Sequence, residues 1–130
     1  MKELGYSNTE IPSEIPADKC MIRMKTQDLQ PAATAQTMVG IYDADDKVGF
    51  LTWPGDLGEV VAVLSGGHRF VLVLFRTDLI TKEEKRYYYT SAGNWVETEM
   101  TTVSEIGQKA GEDAIIQIAA GETKELKSFE

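Results

Sequence analysis

Cysteine and histidine each occur once, as Cys20 and His68, in a chain of 130 residues. A lone cysteine excludes an intramolecular disulfide, so the fold must rest on its core, and a reducing, cytoplasmic setting is the expectation. A lone histidine leaves few routes to Ser-His-Asp or Cys-His catalysis, and the pair of soft ligands has no zinc spacing. Positive charge is also scarce, with 13 Lys plus Arg against 21 Asp plus Glu and a formal charge of −8. That excludes a nucleic-acid backbone as partner, because displacing counterions needs clustered cations. The longest strongly apolar run, Phe70 to Phe75, is far below the ~20 residues that span a bilayer. Met1 to Ser7 lacks the apolar stretch of a signal peptide. Hydrophobic residues still make up 42% and charged residues 26%, enough to build a core and unlike a disordered chain.

Residues 1–19 read as an extended arm, since Pro12 and Pro16 bias their predecessors away from helix. Residues 20–130 read as a single β-domain. Met21 to Lys25 alternates, with Ile22 and Met24 on one face and Arg23 and Lys25 on the other. Gln30 to Gln36 reads as a loop or one helical turn from Pro31.

Three hairpins are expected next. The first joins Thr37–Tyr42 to Val48–Trp53 around Asp43–Lys47, with Tyr42 facing Val48 and Gly40 facing Phe50. The second joins Glu59–Leu64 to Arg69–Arg76 through Ser65-Gly66-Gly67-His68, with Val63 against Phe70 and Val61 against Leu72. Both of its strands are apolar on two faces, so one face should enter the main core. The other should lie under a helix, the arm or another subunit. The third joins Lys85–Thr90 to Trp95–Met100 through Ser91-Ala92-Gly93-Asn94. Pairing Thr90 with Trp95 puts Arg86 opposite Glu99 and Tyr88 opposite Glu97, with Tyr87, Tyr89 and Val96 on the reverse face; a two-residue Gly93-Asn94 turn would shift that register. The short link Thr77–Glu84 makes the second and third hairpins neighbours.

Thr102-Val103-Ser104-Glu105 fits a capping box and starts a helix through Ala110, stopped near Gly111, although Gly107 weakens it. Ala114–Ile118 then reads as a strand, Ala120-Gly121-Glu122 as a turn and Thr123–Phe129 as an edge strand. The whole predicts an all-β fold, an antiparallel β-sandwich or closed β-barrel of about eight or nine short strands, with one short helix near 102–110. The stretch Ile116–Lys124 resembles the strand-turn-strand ending of many sandwich domains, including those in phage structural proteins, which tips the balance toward a sandwich.

Candidate chemistry is thin. Asp43, Asp45 and Asp46 gather three carboxylates at one loop, where oxygen ligands could take calcium or magnesium. The EF-hand pattern fails, with Val48 at its glycine position and Pro54 at its glutamate position, and Asp is a common turn former. Carboxylate pairs drawn from Asp56, Glu59, Glu97 or Glu99 would be needed for glycoside hydrolysis, with nothing to place them together. Gly66-Gly67 lacks phosphate-loop spacing. The expectation is therefore no enzyme, no metal and no cofactor.

The aromatic set carries the functional reading. Arg86, Tyr87, Tyr88, Tyr89 and Trp95 crowd one hairpin and Trp53 ends another, and these residue types dominate binding hot spots. The expected role is non-catalytic protein interaction or self-assembly through this aromatic and apolar surface. The expected partner is another protein or a homo-oligomer, with no nucleic acid and no membrane. The alternative is a β-barrel holding a small apolar ligand; a small hydrolase ranks lower.

Overall fold

The computed structural model describes residues 16–25, 35–52 and 59–127, with only the backbone of Lys25 and Glu59. The arm before Pro16, Pro31 and its loop, Trp53 to Asp56 and the last residues of the expected edge strand lie outside them. Nine strands are described: β1 (Lys19–Lys25), β2 (Ala35–Asp43), β3 (Val48–Thr52), β4 (Glu59–Ser65), β5 (Arg69–Asp78), β6 (Glu84–Tyr89), β7 (Trp95–Thr98), β8 (Ile115–Gln117) and β9 (Thr123–Glu125). One helix, α1, covers Val103–Lys109, and no described helix is long and apolar enough to cross a membrane. Residues Ala35 and Gln36, expected in a loop, already belong to β2.

The strands form two sheets. One runs β4-β1-β9, and the other β3-β2-β5-β6-β7 with β8 also on β5. Neither closes on itself, so the sandwich expectation holds and the barrel does not. The order is not wholly antiparallel, because β9 runs parallel to β1. Strand β5 organises the larger sheet. Along one edge it pairs with β2 from Phe70 to Asp78. Its other edge is shared end to end, Arg69–Val71 with β8 and Val73–Thr77 with β6.

Alternation on β5 separates two cores. Phe70, Leu72 and Leu74 face the smaller sheet and pack with Cys20, Ile22 and Met24 of β1 and Val60, Ala62 and Leu64 of β4. Val71, Val73 and Phe75 face the other way and pack with Tyr42, Ala114 and Ile106 of α1. Of the helix, arm or second subunit expected over this face, the helix is present on β5. Each large apolar side chain so buried contributes about 1.5–3 kcal/mol, which is why a strand with no polar face is stable only in such a position.

The expected second hairpin does not form. Strand β4 pairs with β1, with Val63 opposite Met21 and Val61 opposite Arg23, and Ser65–His68 carries the chain from one sheet to the other. Gly67 donates its N–H to Ile118 O at 2.6 Å and Gly66 donates to Asp18 O at 2.9 Å. The two apolar strands face each other across the core instead of pairing edge to edge, an arrangement that satisfies the same hydrophobic pattern.

The other two hairpins form with registers shifted by one residue. In the first, Asp43 pairs with Val48 and Tyr42 with Gly49, while Ile41 faces Phe50 and Gly40 faces Leu51. Asp43 joins the strand because its carboxylate caps the turn behind it, accepting from the N–H groups of Asp45 and Asp46 at 3.0 Å each. In the third, Tyr89 pairs with Trp95, Tyr88 with Val96, Tyr87 with Glu97 and Arg86 with Thr98. Thr90 is drawn into the loop, where its backbone N–H donates to Asn94 O at 2.8 Å and its carbonyl accepts from Gly93 at 2.9 Å. The slip moves Val96 to the Tyr88 face.

Helix α1 begins as expected, with Thr102 Oγ1 accepting from the Glu105 N–H at 3.0 Å. The Glu105 carboxylate reaches back to the N–H of Thr101, one residue earlier than a capping box requires, at 2.9 Å. Two glycines of the sheet, Gly40 and Gly49, leave room for Val103, and Gly107 lies directly on the Tyr42 ring. The glycine that weakens the helix as a sequence is what lets it dock.

Gly107→Ala should therefore destabilise the protein by about 1–3 kcal/mol through overpacking, although alanine favours an isolated helix by about 1 kcal/mol; chemical denaturation reads the sign. Thr52 Oγ1 is buried with no hydrogen-bond partner. Thr52→Val should raise the thermal midpoint, by the equivalent of about 1 kcal/mol, by removing an orphaned hydroxyl.

Candidate functional site

Two groups of residues merit chemical scrutiny, and they lie on different parts of the sandwich. The first is the end where both described sheet crossings meet. The β2–β3 turn, the β4–β5 crossing and the Ile118–Glu122 crossing converge there. The backbone links are Ala44 N–H to Arg69 O at 2.8 Å and Gly121 N–H to Lys19 O at 2.7 Å. The side chain of Gln117 adds a bond to Gly67 O at 2.8 Å. A Cβ on Gly66 would strike the backbone of Ala120, so the two crossings touch without room for any larger residue.

Asp43 sits at the core side of this end, 1% exposed. Parity puts it on the same face as Ile41 and Phe70. Besides the two amides it caps, its Oδ2 lies 2.8 Å from His68 Nδ1, and the His68 ring stacks on Phe70 at 6.3 Å between centroids. Asp46 stands 3.9 Å from the same ring nitrogen. The Asp43 hydrogen bond, aided by the charges of Asp46 and Asp45, raises the His68 pKa above its ordinary value against a smaller opposing effect of burial. Beside it, Asp45 grips Arg69 three ways, accepting from its backbone N at 2.7 Å, Nε at 3.0 Å and Nη2 at 2.8 Å. These bonds hold the Asp45 carboxyl below the usual carboxylate range and raise Arg69.

Ligand atoms of Asp43, Asp45 and His68 lie within 4.8 Å of one another. The grouping meets the geometric minimum for a cation, but its oxygens are already taken by Arg69, His68 and backbone N–H groups. A metal would have to displace the chain's own cations. The sequence pointed to Asp43, Asp45 and Asp46; His68 and Arg69, separated from them by more than twenty residues, join only through the sheet crossing. As chemistry, an Asp43–His68 pair resembles the orienting half of a general base. Among the described residues no hydroxyl or thiol is bonded to His68. Cys20 is buried and donates weakly to Ser65 O at 3.7 Å; burial pushes its thiol up to about 11, far from a nucleophile.

The second group is the aromatic hairpin. Its members do not share one face. Tyr89 is buried in the inter-sheet core, where Tyr87 and Trp95 pack against it. Tyr88 belongs to the helix-side core. Arg86 donates through Nε to Met100 O at 2.7 Å and through Nη1 to Glu84 at 3.2 Å. Trp53 lies outside the described residues. Tyr89 and Trp95 meet edge to face, 4.8 Å between centroids and 62° between planes. Together they hold the segment after β9: Lys127 N–H donates to Tyr89 Oη at 3.1 Å, and Trp95 Nε1 donates to Lys127 O at 3.0 Å. The Lys127 side chain runs past Gly93, whose φ of +91° and missing Cβ leave it a shelf.

Set against protein-family models, curated proteins and solved structures, the chain matches none of them.

The raised His68 pKa gives a signed expectation. Protonated His68 binds Asp43 in the folded state, so its stabilisation is full below the unfolded value of ~6.5. That contribution is lost as pH rises through the higher folded value. Denaturation midpoints should therefore fall as pH rises from ~6.5 to that folded value and level off beyond it, and His68→Gln should flatten this slope.

Proposed function

We propose that this chain is a non-catalytic β-sandwich domain that works by recognising protein, either another protein or a second copy of itself, through its aromatic hairpin. The observation that carries the reading is the grip of Tyr89 and Trp95 on both backbone groups of Lys127. The hairpin already binds an extended segment through main-chain groups, the feature that lets strand-like peptides be recognised with little dependence on side chains. Tyrosine and tryptophan supply such contacts with large area and little entropy cost. Half-buried Tyr87 continues this face along β6, while Tyr88 and exposed Val96 lie on the reverse face.

The non-catalytic half of the proposal draws support from the thiol, which is buried, and from His68, whose bonded nitrogen serves a structural carboxylate. Among the described residues a small apolar ligand has no comparable support. The apolar side chains of both cores pack on one another. The cavity of about 120 Å3 beside β5 and β6 is lined by Arg76, Asp78, Glu83, Lys85 and Tyr87, mostly charged groups.

Sedimentation velocity at rising concentration, paired with amide exchange, tests the proposal. Association, with itself or with a purified partner, should slow exchange in residues 86–97. A chain that stays monomeric and forms no complex protecting those amides overturns it.

A further inference from the structure

The stretch that Tyr89 and Trp95 hold is attached to the sandwich in an unusual way. Strand β9 contributes three residues, Thr123, Lys124 and Glu125, all exposed, and among the described strands pairs only with β1, in parallel. Its fixed points lie at its two ends. Before it, Glu122 O accepts from Met21 N–H at 3.0 Å; after it, Leu126 N–H donates to Arg23 O at 2.8 Å. Leu126 alone sends an apolar side chain into the core, 6% exposed, and Lys127 follows into the aromatic clamp. A segment with few buried contacts and solvent-facing backbone bonds is among the cheapest parts of a fold to open.

It is joined to β8 through buried Ile118 and exposed Ala119–Glu122, a link held to the body by Gly121 N–H on Lys19 O at 2.7 Å and by Ala120 against Gly66. That connection turns back on itself only because Gly121 adopts φ +85° and Glu122 N–H reaches Ala119 O at 3.1 Å. Opened, the same four residues would carry Thr123–Lys127 away from its own sandwich. The acceptor left behind is specific: the β1 edge offers Arg23 O and the Met21 N–H, the core offers the Leu126 site, and Tyr89 and Trp95 offer one acceptor and one donor. The sequence that satisfies all of these together is the one that has just left.

Resting on the protein-recognition reading above, we propose that the slot between the β1 edge and the Tyr89–Trp95 clamp is an interaction surface whose trans occupant is the Thr123–Lys127 segment of a second copy. The exchange is reciprocal. Each copy donates its segment and receives the other's, every contact just described is rebuilt between chains, and a closed two-fold dimer results. The cis form is favoured by the high effective concentration of a tethered segment, and the trans form gains as protein concentration rises.

A mixing experiment tests this. Trp95→Ala breaks the clamp and leaves the segment intact; Leu126→Asp does the reverse. Mixed, or refolded together from denaturant, the two full-length variants regain one intact slot, in which the Trp95→Ala copy's segment occupies the Leu126→Asp copy's body. Native mass spectrometry should show heterodimer in the mixture and far less dimer from either variant alone. Absence of heterodimer from two folded variants overturns the exchange. Should either variant fail to fold alone, the unaltered chain decides. Refolded at rising concentration it should yield a dimer that persists on dilution, and Gly121→Val, strained at the turn, should increase its share several-fold. Monomer throughout, or a dimer insensitive to Gly121→Val, overturns the proposal. Association that protects residues 86–97 without heterodimer would remove the exchange alone and leave the recognition reading standing.

Discussion

Phe70, Leu72 and Leu74 on one side of β5, and Val71, Val73 and Phe75 on the other, leave that strand no side that water can cover. Everything else in the architecture follows from hiding both. The inner side requires a second sheet, supplied by β4 and β1. The outer side requires a helix, which is too short to hold itself together and gains its stability from docking. Glycines at 40, 49 and 107 are the accommodation: each lowers local propensity and each removes a side chain from the space where helix and sheet meet. Local weakness and tertiary fit are two aspects of the same choice.

A two-sheet arrangement needs the chain to cross between layers, and both described crossings occur at one end. Backbone polar groups lifted out of sheet pairing there have to be satisfied by other means. Here they are met by each other and by carboxylates. Asp43 caps the adjoining turn and holds His68; Asp45 holds Arg69. Asp43 and Asp45 thus secure the crossing from β4 to β5 with charge-assisted bonds. What resembles a metal cluster in the sequence also serves as a joint, the Asp43 and Asp45 oxygens being bonded to His68, Arg69 and backbone N–H groups. The same joint makes the chain's one histidine a structural element whose protonated form the surrounding carboxylates favour.

The aromatic hairpin does a related job at the open side of the sandwich. Tyr89 and Trp95 present a hydroxyl and an indole N–H to main-chain groups, a use that suits residues with an apolar body and a polar tip. Leu126 fills the inter-sheet core between them and β1. Closing a sandwich and binding a peptide can make the same physical demand, apolar contact flanked by one donor and one acceptor. The proposed recognition role rests on that shared demand.

Reading residues alone went far toward this picture. Alternation placed Ile22 and Met24 inward, the Thr102 cap located the helix to within a residue, and two-sided apolarity marked β5 as central and covered; the same reading made β4 central, whereas among the described strands β4 lies at the edge of its sheet. Turn chemistry found two real hairpins but missed their registers by one, because Asp43 and Thr90 make side-chain and loop bonds that propensity does not count. Gly66-Gly67 misled more seriously: the pattern of two apolar strands joined by glycines is the same whether they pair in one sheet or face each other from two. Hydrophobic pattern and turn residues are properties of short stretches, so the chain by itself determined the β class, the helix and which side chains are buried. Which strand meets which, and therefore the meeting of Asp43 with His68, of Asp45 with Arg69 and of Tyr89 and Trp95 with Lys127, was decided only in three dimensions, because those bonds join residues that proximity along the chain never brings together.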